Sequence, residues 1–89
     1  MRTEAKYFGN VQGVSFRYTA SSIARMYGLS GFVRNEIDGS VYLLVDGADD
    51  EVKAFLRELN ERMAGYIERA EYNTLQSGGN LGSFEIRWD

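Results

Sequence analysis

The 89-residue sequence contains no cysteine, no histidine and no proline. Without cysteine there is no disulfide scaffold, no thiolate metal site and no sulfur nucleophile. Without histidine, the commonest general base and the commonest metal ligand are both missing. Any catalysis must run through arginine, asparagine, carboxylates, hydroxyls or backbone amides, and we expect neither a metal nor a cofactor. Positive charge is also short. Ten Lys and Arg stand against 13 Asp and Glu, a net charge of −3, so no global basic field collects nucleic acid. The longest unbroken apolar run, Val41 to Val45, is far too short to span a bilayer. The N-terminus opens Met-Arg-Thr-Glu, with no apolar stretch resembling a secretory signal. These absences lead us to expect a soluble, cytoplasmic protein with no nucleic-acid or membrane partner.

What is present suffices for one core. Hydrophobic residues make up 44% and aromatics 13% of the chain, and its length suits a single domain over 1–89. Residues 3–10 alternate as a strand, with Glu4, Lys6 and Phe8 against Ala5 and Tyr7. From Phe16 the period changes, and Ala20, Ile23, Ala24 and Tyr27 form one stripe of a helix that Gly28 should stop. Residues 31–37 and 41–46 read as strands joined by Asp38-Gly39, a hairpin signal. Asp49 or Asp50 is placed to cap a second helix with the stripe Val52, Phe55, Leu56, Leu59 and Met63. Residues 67–75 read as a mostly polar strand, and Gln76 to Gly82 as a Gly-rich loop. Phe84, Ile86 and Trp88 then alternate with Glu85 and Arg87 as a final strand. The order βαββαβ with an extra C-terminal strand predicts an α+β, ferredoxin-like fold, a two-layer α/β sandwich with both helices on one face of a mainly antiparallel sheet. Right-handed crossovers give the strand order 4-1-3-2, with the last strand at an edge. No exposed apolar stripe is evident, so a monomer is expected.

This topology brings two distant segments to one rim: the loop after the first strand, and the end of the second. The loop residues Val11, Gln12, Gly13, Val14 and Ser15 lead into Phe16 and Arg17. Every one of them offers a backbone N–H, and Gly13 permits the unusual angles that let amides converge on an anion. The helix start adds unpaired amides and partial positive charge. No Gly-Lys-Ser/Thr follows, so nucleotide binding is unsupported. A cation at a helix start opposes the macrodipole, by roughly 0.3–1 kcal/mol where exposed. Arg17 there makes sense if an anion binds, because its planar fork matches two phosphate oxygens. A surface arginine paired with a carboxylate is the plainer alternative. Asn35 is out of place in a strand. It shares a face with Val33 and Ile37 while Arg34 points to solvent, so its amide needs partners on the helix-covered side. The alternative is a polar strand end preparing the turn.

Three strings resemble the acylphosphatase family: Gly9-x-Val-Gln-Gly-Val-x-Phe-Arg17, Gly28-Leu-x-Gly-Phe-Val-Arg-Asn35, and Asp38-Gly-x-Val41 before Gly47. The resemblance implies that Arg17 and the loop amides bind phosphate while Asn35 positions the attacking water. It implies hydrolysis of the carboxyl–phosphate bond of acyl phosphates, with inorganic phosphate as product and inhibitor. Such chemistry fits a chain without histidine, since a carboxylate leaving group needs no general acid and catalysis can rest on orientation and charge stabilisation. Family members commonly carry a basic residue where this chain has Asn10 and Trp where it has Phe32. The segment Arg62 to Ala70 also lacks the prolines often found there.

Three other readings compete. An RNA-recognition domain would share the element order, but the third strand lacks the Lys/Arg-Gly-aromatic signature such domains display. A module of a larger carbamoyl-transfer protein would share the motifs; the end of the sequence at Asp89 favours a stand-alone enzyme. A non-catalytic phosphate-binding module would share Arg17, and only turnover separates it from an enzyme.

Overall fold

A computed structural model describes residues 1–13 and 15–88 of the chain. The elements follow in the order β1 (Arg2–Gly9), α1 (Phe16–Met26), β2 (Ser30–Asn35), β3 (Val41–Asp46), α2 (Asp49–Arg62), β4 (Ile67–Leu75) and β5 (Glu85–Arg87). They build a two-layer α/β sandwich whose sheet order is β4-β1-β3-β2-β5. The four core strands take the expected order. The fifth pairs parallel to β2, with Val33 opposite Ile86, which settles the edge it occupies.

One face of the sheet and one stripe of each helix form the core. Ala5, Tyr7, Val33, Val41, Leu43 and Val45 meet Ala20, Ile23 and Ala24 of α1 and Val52, Phe55 and Leu59 of α2, all at most 1% exposed. Phe84, just before β5, reaches the same core and packs on Phe55 with ring centroids 6.2 Å apart. Helix α1 stops as its sequence implies. Gly28 takes φ +67, and the amides of Gly28 and Leu29 return to the carbonyls of Arg25 and Ala24, a hydrogen-bonded C-terminal cap.

Among the described residues no helix lies on the opposite face of the sheet, which is covered by charge instead. Phe32 lies beneath the guanidinium of Arg87, 3.7 Å from its ring centre, and Tyr42 beneath that of Arg34, at 4.9 Å. Each of these arginines also pairs with an acid, Arg87 with Glu85 and Arg34 with Glu36. Arg34 is thus half-buried over an aromatic ring rather than simply solvent-facing.

Three sequence expectations need correction. Strand β2 ends at Asn35, two residues early, because Glu36 N–H bonds Ser40 C=O and the chain turns through residues 37–39 with Gly39 at φ +91. Ile37 is therefore fully exposed and shares no face with Val33. Neither Asp49 nor Asp50 caps α2, since Ala48 holds that position without a side-chain hydrogen bond. Asp49 instead faces the N-terminal ammonium at 3.2 Å, drawn there by charge. Strand β5 is also shorter than read, three residues rather than five.

Since β1 and β2 both run antiparallel to β3, their C-terminal ends share one rim. The start of α1 stands on that rim.

Candidate active site

The loop after β1 reaches the helix by two left-handed residues. Gly13 has φ +80, with open space where a Cβ would stand. Ser15 has φ +64, the one positive value at a non-glycine residue among those described. A serine there is strained by about 1–3 kcal/mol and must be held by its surroundings. Two contacts supply the restraint. Gln12 sends its side-chain amide into the hairpin, donating to the carbonyls of Glu36 at 2.8 Å and Ser40 at 2.9 Å. Val11 and Phe16 are buried on either side, and Phe16 packs on the ring of Tyr7 at 5.1 Å. Burial pushes the Tyr7 hydroxyl far above its ordinary value, so Tyr7 stays neutral and serves as packing.

Ser15 makes no side-chain cap, and no acid stands in the first turn of α1. The first helical hydrogen bond runs from Thr19 N–H to Ser15 C=O at 2.9 Å. The N–H groups of Phe16, Arg17 and Tyr18 lie before it, in the electropositive end of the helix. A cavity of about 230 Å³ opens here, lined by Val11, Gly13, Ser15, Phe16, Arg17, Tyr18 and Asn35. The sequence-derived residues thus converge, except that Gln12 turns its side chain away to the hairpin. Val14 lies outside the described residues.

Arg17 is not paired with a carboxylate among the described residues. It donates to the carbonyl of Arg87 at 3.2 Å, and its guanidinium lies 4.3 Å from the ring centre of Trp88. The C-terminal strand therefore aims the arginine. Asn35 pairs with Val41 across the sheet, on the helix-covered side, and its side-chain amide has no hydrogen-bond partner among the described residues.

Sequence reasoning passed over Tyr18 and Trp88. Trp88 had a signal, since it alternates in phase with buried Phe84 and half-buried Ile86. Without the edge assignment of β5, nothing connected that phase to Arg17.

The arrangement is an anion cradle with one aimed cation and one uncharged amide, a set suited to a phosphoryl group. Comparison with known proteins agrees: the acylphosphatase family model matches residues 3–86. The chain belongs to the acylphosphatase family. An acylphosphatase of Mesorhizobium japonicum is 39% identical over 84 residues, covering 93% of this chain and 89% of the relative. The crystal structure of the Bacillus subtilis acylphosphatase superposes with a TM-score of 0.88 over 97% of each chain, at 24% identity, a likeness of fold. HypF of T. kodakarensis matches all of this chain with a TM-score of 0.85 and 26% identity, over 12% of its own length. The acylphosphatase motifs at residues 9–17, 28–35 and 38–41 all fall within the matched span.

Proposed function

We propose that this acylphosphatase-family chain hydrolyses acyl phosphates through Arg17, the amides of the loop 11–17 and Asn35. The observation that carries the reading is the convergence of Arg17, the strained loop and Asn35 on one cavity. The phosphoryl oxygens lie in the amide cradle, and Arg17 holds two of them with its fork. Asn35 orients a water toward phosphorus. The water oxygen forms a bond to phosphorus while the bond to the acyl oxygen breaks. The carboxylate leaves with that electron pair, and the protons of the water stay with the released phosphate. The transferred group carries its charge on oxygens already facing amides and guanidinium, so little rearrangement is needed.

The chain acts as a single domain, a monomer, in the cytoplasm, on a small molecule rather than a nucleic acid. The net charge of −3 and the acid-paired arginines of the open sheet face weigh against a nucleic-acid partner. Among the described residues no helix is long and apolar enough to cross a membrane.

The test is phosphate release from a simple acyl phosphate, with inorganic phosphate as a competitive inhibitor and a chelator without effect. Asn35→Ala should lower kcat by about 10²–10³-fold, as for loss of one polar contact made in the transition state. It should leave the phosphate inhibition constant nearly unchanged, since Asn35 brings no charge. Unimpaired turnover in Asn35→Ala would reduce that residue to a strand terminus. Phosphate binding without turnover in the wild type would favour a non-catalytic module.

A further inference from the structure

Gln12 commits its side chain to a segment far along the chain. A single amide nitrogen, Nε2, donates to the carbonyls of Glu36 at 2.8 Å and Ser40 at 2.9 Å. Glu36 and Ser40 stand one step beyond Asn35 and Val41, the last pair of the β2–β3 ladder. The hairpin closes without this help. Glu36 N–H bonds the Ser40 carbonyl at 2.8 Å, Gly39 N–H bonds the Glu36 carbonyl at 3.1 Å, and Asp38 accepts from the Ser40 amide and hydroxyl. Fixing a long side chain costs rotamer entropy, so the two bonds from Gln12 matter for what they join. On one side is the loop, whose residues Val11 and Gly13 flank Gln12 and line the cavity. On the other is Asn35, which lines the same cavity. Among the described residues no other hydrogen bond joins the loop to the hairpin.

Hydrolysis needs these two segments in register. The loop amides hold the phosphoryl group and Asn35 holds the water that attacks it, yet β3 lies between β1 and β2 in the sheet. The ladder therefore does not join the loop to Asn35 directly. A held water reacts well only at near-attack distance, and a misplacement of about 1 Å can cost on the order of 10²-fold. We infer that Gln12 is a positioning residue, whose side-chain amide sets the distance between the amide cradle and Asn35. This role is separate from that of its backbone amide, which any residue except proline would supply. The inference rests on the acyl-phosphate reading above.

The test measures kcat on acetyl phosphate and inhibition by inorganic phosphate in Gln12→Ala, Asn35→Ala and the double variant, with circular dichroism to confirm each fold. Gln12→Ala keeps the backbone amide, so kcat should fall about 10²-fold while the phosphate inhibition constant moves only about threefold. In the Asn35→Ala background the same substitution should lower kcat only about threefold, because no held water remains to be misplaced. A loss of equal size in both backgrounds, or a wild-type kcat in Gln12→Ala, overturns the inference and leaves the acylphosphatase reading intact. Wild-type protein without turnover overturns both. Gln12→Glu keeps the question open to test where the alanine variant fails to fold. Its ionised carboxylate is repelled by the two carbonyls, whereas its protonated form again donates to one of them. The ratio of its kcat to that of the wild type should rise several-fold as pH falls from about 7 to about 4, and a flat ratio overturns the inference.

Discussion

Helix α2 begins with Asp49, Asp50 and Glu51, whereas α1 has no acid in its first turn and carries Arg17 there. Neither start is closed by a side-chain cap, so the contrast lies in charge. In α2 three carboxylates face the positive end of the helix, and Asp49 draws in the N-terminal ammonium as well; that end is satisfied within the chain. In α1 the positive end is left unanswered and an arginine is added, an arrangement unfavourable to the empty protein. A phosphate bound there, as proposed, would reverse the sign and by linkage stabilise the fold. The two ends stand on opposite rims because β1 and β3, which lead into them, are antiparallel, so the acids of α2 do not reach the field at α1. A helix start can thus serve stability or binding, and which it serves is decided by the few residues of its first turn.

The sharpest way to break this contrast is Arg17→Lys. Charge is kept, but the planar two-point grip, the bond to the Arg87 carbonyl and the stacking on Trp88 are lost. We expect kcat/KM for an acyl phosphate to drop by about 10³-fold or more, with circular dichroism unchanged. Near-normal turnover in the folded variant would show that charge alone suffices. A smaller effect comes from making α1 resemble α2. Ser15→Asp places a carboxylate at the cavity on a residue type that tolerates left-handed backbone. The phosphate inhibition constant should rise on the order of tenfold, an effect that shrinks in high salt. An unchanged constant would remove the helix field from the account.

The smallest effect concerns the hairpin that holds the loop. Asp38 accepts hydrogen bonds from the Ser40 hydroxyl and amide and pairs with Lys6, and these hold its carboxyl at about 2, below the ordinary 3.8. A depressed value means stability that is complete above the ordinary pKa and lost as pH falls toward 2. Thermal melts between about pH 5 and 2 should decline less steeply in Asp38→Asn than in the wild type. Parallel profiles would show that Asp38 does not tie the hairpin.

Much of this could be read from residue order. The stripes Ala20–Ile23–Ala24 and Val52–Phe55–Leu59 announced both helices because burial imposes a 3.6-residue period. Strand β4 was read to the residue, 67–75. Arg17, Gly13 and Asn35 stood out because each is costly in its local setting, and the fold brings them to one cavity. Misreadings arose where a distant partner decided the outcome. Ile37 looked like strand by alternation, but the bond from Glu36 to Ser40 ended the strand first. Asp49 looked like a cap, but the N-terminal ammonium claimed it. Gln12 was read only for its backbone amide in the loop; that its side chain serves carbonyls 24 and 28 residues away is a further role that loop position alone does not show. Trp88 could be tied to Arg17 only once the edge for β5 was known, and no local pattern encodes which edge a short strand joins.

The position of β1 inside the sheet has a consequence for how the chain reaches this state. Its two neighbours come late in the sequence: Arg2 lies opposite Asp46 on one side and Leu75 on the other. Large loops must close before the first strand has both partners, a topology whose folding belongs to the slower range of small domains, about milliseconds to seconds. Yet the chain has no proline, so unfolded molecules do not divide into prolyl isomers, and the tens-of-seconds phase those isomers cause is not expected. Refolding should therefore show no prolyl-isomerisation phase, with the pairing of distant strands setting the pace of the main one.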